Sequence, residues 1–418
     1  MTGDGGRGRP AIELGSSDDL VLLVSAGAAL LLLLAAVVER SRHRRRLARI
    51  PVRISVNGSR GKSTVTRLLT GALAAGGRRP IGKTTGTAAQ LVLGWDGTTE
   101  DIHRRPEGPN IGEQRHLVRR ATAEQADTVV AECMAVTPEY QLTFHRELLD
   151  INVLVITNAW ADHLEEMGPT VDDVAEVLAD SIPSGGVVVV PADRHTGTFR
   201  AVADARDATL VVSDADAVTP EQLVGFEHLV LPEHLAQVLA VTREFGIDDT
   251  VALRGMRDAP ADPYATRLRE IGDPDDPALL VNAFPANDPT ATLAVWDHVV
   301  GQGAPADGLL VIMNCREDRI ARTKLFARDV LPHLPIETLV VTGSATRAVH
   351  KQVDAGAIDA DTVIDLTDAD TATVMDHLND RLHGRVVLGV GNLHGGGAEL
   401  VAELEAWDVA NAPQRKTS

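Results

Sequence analysis

The stretch VNGSRGKST, Val56 to Thr64, joins the residue types that grip a phosphate. Glycines let a turn present backbone N–H groups, a helix opening there adds the positive end of its dipole, and Lys62 adds a full charge. Ser63 offers a hydroxyl to magnesium. The spacing departs from the common loop, G-x-x-x-x-G-K-[ST], which has a glycine five residues before the one that precedes lysine. Val56 holds that place, and Gly58 stands three residues before Gly61 instead. Gly58, Ser59, Arg60, Gly61, Lys62, Ser63 and Thr64 are the candidate ATP-binding residues; the plainer alternative is a polar turn with a capping serine. A second set lies in NAFPANDPTAT and NCREDRIART, each beginning at the end of an apolar run. Ligands of open α/β sheets gather at the carboxyl ends of strands. Asn287, Asp288, Arg316 and Arg319 are therefore candidates for binding a substrate, the arginines through paired hydrogen bonds to a carboxylate. Surface pairing of the arginines with Glu317 and Asp318 is the other reading.

Such groups need strands and helices to position them. VRISV precedes the loop and STVTRLLTGALAAG reads as the helix it opens. DTVVAEC, INVLVITNA and GVVVVP follow, each bounded by polar or turn residues, and buried runs that alternate with helices predict a mostly parallel α/β sheet. The Pro- and Asp-rich RGMRDAPADP, Arg254 to Pro263, reads as a linker. Beyond it ALLVNAF, GLLVIMNC, ETLVVTG, DTVIDL and RVVLGVG predict a second α/β domain of typical size. No internal repeat or low-complexity tract is present.

Composition narrows the class. Hydrophobic residues make up 44% and charged residues 24%, as in ordinary folded protein. A net charge of -19 argues against a nucleic-acid partner. The two cysteines, Cys133 and Cys315, sit in apolar runs and suggest neither a disulfide framework nor a Cys-based zinc site. The N-terminal run Leu20 to Val38 carries no charge over nineteen residues. It spans roughly 29 Å as a helix, close to the hydrocarbon thickness of a bilayer. Seven arginines follow between Arg40 and Arg53, against Arg7 and Arg9 before it. The positive-inside rule then predicts a single-pass anchor in the cell membrane with everything after Val38 in the cytoplasm. A cleaved signal peptide wants its positive charge before the apolar core. The expected organisation is an outer tail 1–19, a transmembrane helix 20–38, a basic linker 39–52, an ATP-binding domain 53–257 and a C-terminal α/β domain 258–418.

The short loop G-[ST]-x-G-K-[ST]-[ST] resembles that of the Mur ligases and folylpolyglutamate synthetases, which use ATP to join an amino acid to a carboxylate. VVAEC resembles the strand whose glutamate, here Glu132, holds magnesium opposite the loop hydroxyl. VITNAWADHLEEMG is similar to their T-N-x-x-x-D-H-L-[DE] segment, which implies that His163 lies by a second metal ion. GPNIGEQ resembles an N-I-G segment whose asparagine, here Asn110, faces the nucleotide phosphates. Each residue also has a plainer reading: a strand-end acid, a helix-start pair with Asp162, and a turn after Pro109. With KTTGT, AECMAVTPEYQ, NCREDRIART and GVGNLHGGG added, the resemblance narrows to the catalytic subunits of poly-γ-glutamate synthases, the CapB/PgsB type, over nearly the whole soluble part.

That resemblance implies a Mur-ligase-like P-loop domain with a parallel sheet, a C-terminal Rossmann-like α/β domain and one N-terminal transmembrane helix. It implies an ATP- and Mg²⁺-dependent amide ligase with Lys62, Glu132 and His163 catalytic and Ser63, Glu132 and His163 at metal. Its implied partners are glutamate, the growing poly-γ-glutamate, the membrane and small membrane subunits of the same system. One departure from the Mur ligases is plain. They carry a carbamylated lysine some residues after the D-H pair, whereas no lysine occurs here between Lys83 and Lys324. A second metal is then held otherwise or is absent. A ligase for a cell-wall precursor or a folate, and a membrane-tethered regulatory ATPase, remain as alternatives.

Overall fold

The computed structural model describes residues 17–407 other than 87, 105–107, 227, 264, 287, 302 and 306. The apolar run lies in one helix, α1 (Ser17–Leu47), which continues past Val38 through the arginines. The basic segment expected as a linker is thus largely helical. Arginine is a good helix former and no helix breaker occurs before Pro51. Large apolar side chains of α1 from Leu20 to Val38 are exposed, whereas His43, Leu47 and Ile50 are buried against the first domain.

The first sheet is built from β1 (Val52–Asn57), β2 (Pro80–Lys83), β3 (Gln90–Leu93), β4 (Thr98–Asp101), β5 (Thr128–Glu132), β6 (Val153–Ile156), β7 (Val187–Pro191) and β8 (Thr209–Ser213). Their spatial order is β4-β3-β2-β5-β1-β6-β7-β8. The strands from β2 to β8 in that order pair in parallel, while β3 and β4 form an antiparallel edge. The apolar run at β1 is buried on both faces, as a parallel strand covered by helices requires. Register places Val56 opposite Glu132 and Asn57 opposite Ile156. The loop after β1, the acid ending β5 and the TNAWADH segment after β6 therefore share one sheet edge.

Helix α2 (Lys62–Ala75) opens directly from the loop and packs with the helices Pro232–Glu244 and Asp249–Arg257. Gly71 and Gly255 sit where α2 and Asp249–Arg257 touch: a Cβ on Gly71 would lie 2.2 Å from the carbonyl oxygen of Gly255. The RGMR portion of the expected linker is thus the last turn of a packed helix. Its glycine serves close approach rather than a chain break.

The second sheet comprises β9 (Leu268–Ile271), β10 (Ala278–Asn282), β11 (Leu309–Cys315), β12 (Ile336–Gly343), β13 (Ala360–Thr367) and β14 (Val386–Gly391), in the order β13-β12-β11-β14-β10-β9. Only β9 runs antiparallel. The carboxyl ends of β10, β11 and β14 adjoin, with Asn282 opposite Gly389 and Asn314 opposite Gly391. The α/β architecture with parallel-rich sheets agrees with the sequence expectation.

Candidate active site

The loop between β1 and α2 is shaped by two glycines with positive φ, Gly58 at 125° and Gly61 at 79°. A Cβ at Gly58 would meet Thr157 Oγ1 at 2.3 Å, and one at Gly61 would meet the ring of His234 at 2.2 Å. The turn is therefore closed to larger residues by contact as well as by conformation. The segment after β6 braces it. Asn158 Oδ1 accepts from the Arg60 N–H at 2.9 Å, Asn158 O accepts from the Ser59 N–H at 3.1 Å, and Ser59 Oγ donates to Trp160 O at 3.0 Å.

Inside this frame Lys62 Nζ donates to the carbonyls of Gly58 at 2.6 Å and Ser59 at 3.0 Å, which holds the ammonium over its own loop. Burial pushes it below the ordinary lysine range, with the charge of Glu132 the largest opposing influence. Ser63 Oγ donates to Glu132 Oε2 at 2.8 Å, and the Thr85 N–H donates to the same oxygen at 2.7 Å. Gly86 leaves space beside this pair, since a Cβ there would lie 2.9 Å from Ser63 Oγ. A hydroxyl and a carboxylate in contact, next to a side-chain-free position, fit a small hard cation that takes oxygen ligands. Cys133 adds no thiolate, because burial pushes its thiol up to about 12.

Ser59 to Thr64, Glu132 and Asp288 line a cleft of about 330 Å³ between the two domains. Arg60 spans it, with Nη2 3.3 Å from Asp162 Oδ1 and Nε 2.9 Å from Asp288 Oδ2. His163 lies elsewhere. It begins a short helix with φ 49°, is about half exposed, and lines a smaller cavity of about 180 Å³ with Lys62, Gly58 and Asp162. Among the described residues, no three His, Cys, Asp or Glu side chains group closely enough to hold a metal. Asn110 stands apart from both cavities. Its Oδ1 accepts from the Gly112 N–H at 2.7 Å at the start of α3 (Glu113–Ala123), and it lines a separate pocket with Lys83 and Glu113.

In the second domain Arg316 pairs with Asp318 at 2.8 Å, the surface contact that its sequence neighbours allowed. Arg319 starts the helix Ile320–Asp329. Asn287 lies outside the described residues. The structure adds groups that sequence reasoning left out. Arg322 donates to Asn392 Oδ1 at 3.3 Å. Burial and the nearby charges of Arg319, Arg60 and Arg316 hold its pKa below the usual arginine value. The three-residue step from Arg319 to Arg322, one helical turn, was the available signal. His234 had none: only the packing of its helix against Gly61 brings it to the cleft. Lys83, 1% exposed, forms an ion pair of 2.9 Å with Glu113, which also pairs with Arg104 at 3.0 Å. Burial opposes charge on Glu113, but the hydrogen bond from Arg104 and the charge of Lys83 outweigh it and lower the carboxyl pKa.

A phosphate loop between β1 and α2, an acid ending the neighbouring strand and a second α/β domain across a cleft define an ATP-dependent amide ligase of the Mur type. Residues 56–222 match the Mur ligase middle domain, and residues 268–406 match the family described as Poly-gamma-glutamate synthase CapB C-terminal domain. Solved structures share the fold. Escherichia coli FolC in complex with ADP aligns at TM-score 0.62 and 16% identity, over 87% of this chain and 92% of that one. MurF from Acinetobacter baumannii aligns at TM-score 0.59 and 15% identity, over 88% and 79%. Sequence relatives are much nearer. The PGA synthase CapB of Bacillus subtilis is 41% identical over 89% of this chain and 94% of its own length. The capsule biosynthesis protein CapB of Bacillus anthracis is 40% identical over 86% and 77%. The chain belongs to the CapB family of poly-γ-glutamate synthases.

Proposed function

We propose that this chain uses ATP and Mg²⁺ to phosphorylate a glutamate γ-carboxylate and then joins it to the amino group of another glutamate, extending poly-γ-glutamate. The observation that carries the residue assignment is the contact of Ser63 with Glu132 at the mouth of the Lys62 loop, on a cleft whose far wall brings Asp288 to Arg60.

A free carboxylate resists attack because its charge repels the amine and oxide does not leave. Transfer of the terminal phosphoryl group gives an acyl phosphate, from which phosphate can depart. Catalysis of such a transfer is mostly positioning and charge neutralisation. The backbone N–H groups of the loop and of the first turn of α2 bind the phosphates, and Lys62 turns from its loop carbonyls to them. Magnesium, held by Ser63 and Glu132, would supply charge neutralisation at the phosphate oxygens. Arg60, Arg316, Arg319 and Arg322 bind and orient carboxylates, with Asp288 paired to Arg60. His163, which shares a cavity with Lys62, serves the terminal phosphate or a second ion. The cleft keeps water from the acyl phosphate until the amine attacks.

Helix α1 anchors the ligase at the cytoplasmic face of the cell membrane, where small membrane subunits of the same system shape the complex and carry the polymer outward. Support comes from the length and composition of α1 and from the arginines that follow its apolar run. The test is to express the chain with and without such subunits, supply ATP, magnesium and labelled glutamate, and determine the linkage of the product. A γ-linked polymer, with phosphate release that depends on glutamate, is expected. An α-linked product, or none with any combination of subunits, overturns the reading.

A further inference from the structure

Outside the cleft, a basic cavity of about 700 Å³ lies where α1 meets the ligase domain. Its wall combines residues of α1, from Ala36 to Leu47, with Ala48, Arg53, Arg115 and the segment from Thr143 to Asp150. Five arginines and three acids face it: Arg40, Arg44, Arg53, Arg115 and Arg146 against Glu39, Glu147 and Asp150. Each acid is already engaged. Arg40 pairs with Glu147 at 3.0 Å, Arg53 with Asp150 at 3.2 Å, and Arg46, outside the wall, with Glu39 at 4.0 Å. Arg146 donates to the Asp180 carbonyl at 3.0 Å. Among the described residues Arg44, Arg115 and Arg146 have no acidic partner, so the cavity carries an uncompensated positive charge. His43, 5% exposed, sits in the same wall. Its Nε2 donates to the Leu148 carbonyl at 2.8 Å, and its Nδ1 is buried with no hydrogen-bond partner. A buried polar atom without a partner is costly unless something supplies one.

The depth of the cavity selects its occupant. Ala36 belongs to the apolar run that ends at Val38, so one side of the wall lies within about one helical turn of the bilayer boundary. The other side is the charged surface of the ligase domain. An occupant must therefore offer an anion at the membrane interface. Soluble glutamate polymer would meet arginines but also an apolar rim it has no reason to approach. We infer that this cavity is a headgroup site for an anionic glycerophospholipid, whose phosphate is held by Arg44, Arg115 and Arg146 and whose polar headgroup atoms reach His43. Basic pockets beside a membrane helix on its cytoplasmic side bind such headgroups by this charge logic. An occupied site fixes the ligase domain against the bilayer through both α1 and the domain itself.

The inference rests on α1 crossing the membrane, so the test begins there. The full chain is floated with vesicles of phosphatidylcholine alone; failure to float overturns the anchor and this proposal together. Detergent-solubilised full chain is then titrated with phosphatidylglycerol or phosphatidylcholine and bound lipid is counted by native mass spectrometry. Half-saturation by phosphatidylglycerol is expected at a concentration at least about tenfold lower. Combined Arg44→Ala and Arg115→Ala should remove most of that preference, Arg115→Lys should keep it, and ATP turnover in detergent should be unchanged by either. A chain that floats but retains the two lipids equally, or whose preference survives the double substitution, sinks the headgroup site while leaving the anchor intact. Glycerol phosphate and a γ-linked glutamate oligomer are the competing probes. Displacement of phosphatidylglycerol by either at equal concentration reassigns the cavity to a free phosphate or to the polymer.

Discussion

In the proposed reaction Lys62 and Glu132 act on the same small volume by different means, and substitutions should separate them. Among the described residues Lys62 Nζ hydrogen-bonds the Gly58 and Ser59 carbonyls of its own turn, so on the proposed mechanism Lys62→Ala removes a phosphate ligand and leaves the core intact. Polymer synthesis should fall at least about a hundredfold with little change in thermal midpoint, as for loss of a main electrostatic group on a transferring phosphoryl. Retained synthesis would remove Lys62 from the mechanism. Glu132→Gln keeps an oxygen to accept from Ser63 and from the Thr85 N–H, but loses the charge that a divalent ion needs. The magnesium concentration for half-maximal phosphate release should rise about tenfold or more; an unchanged magnesium dependence would free Glu132 of that role. Much of this arrangement was legible in the chain, because a loop motif places Lys62 and Ser63 by spacing and the resemblance of VVAEC to a Mur-ligase strand end points to Glu132. Arg60, one residue before Gly61, bridges Asp162 and Asp288 across more than 200 positions of sequence, and no local rule announces such a bridge. The position of Asn110 shows the converse: a motif named the residue, while its own helix start claims the side chain.

At the scale of elements, the contact between α2 and the helix Asp249–Arg257 carries the loop. A Cβ on Gly255 would come within 2.3 Å of the Gly71 carbonyl oxygen and 2.6 Å of Ala75 Cβ, with backbone that cannot yield easily. Gly255→Ala should therefore lower stability by about 1–3 kcal/mol, despite alanine's better helix propensity. Gly197→Ala, in the helix Thr196–Ala205 with open space around it, should be neutral or slightly stabilising. Denaturant midpoints of the two variants decide the matter; equal midpoints would show that the glycine contact is dispensable. The same contact explains why Arg254 to Arg257 read as linker although they are helical, since glycine signals a chain break locally but here serves packing, while Asp258 to Pro263 form no helix or strand. Long buried strands such as β11 and β14 were plain from composition. The short strands β2 and β4 were not: four residues each, PIGK and TTED, lack the apolar run that marks a strand and exist because β5 and β3 offer them a partner. Likewise the arginines after Val38 read as a charged flank, and only the docking of His43 and Leu47 on the domain shows a helix that continues.

Across the whole molecule, His145, His228 and His234 contribute most to the response to acid, and His43 and His298 are lowered by burial in the same direction. Burial lowers His145 to about 3, and His228 and His234 to about 4. His145 bonds Ser55 inside the first sheet, His234 packs on the phosphate loop, and His228 lines a groove shared with the helix Pro289–Gly301 of the second domain. In the unfolded chain each would titrate near the ordinary value of about 6.5. Below that pH the unfolded state binds protons that the native state refuses, so stability falls as pH drops. The contribution is fully present above about 6.5 and is lost progressively toward about 4 for His228 and His234, and toward about 3 for His145. Each histidine adds a slope of up to about 1.4 kcal/mol per pH unit within its window. Because two of the three lie at the cleft and its flank, acid should loosen the domain junction together with the loop rather than one domain alone. The measurement is the denaturant midpoint of the full chain in detergent between pH 7.5 and about 4.5, followed by probes in each domain, with His145→Gln as the comparison. A common transition whose stability drops with pH, and a shallower drop in the variant, are expected. A flat profile, or an unchanged slope without His145, would show that these side chains take up protons within the folded chain.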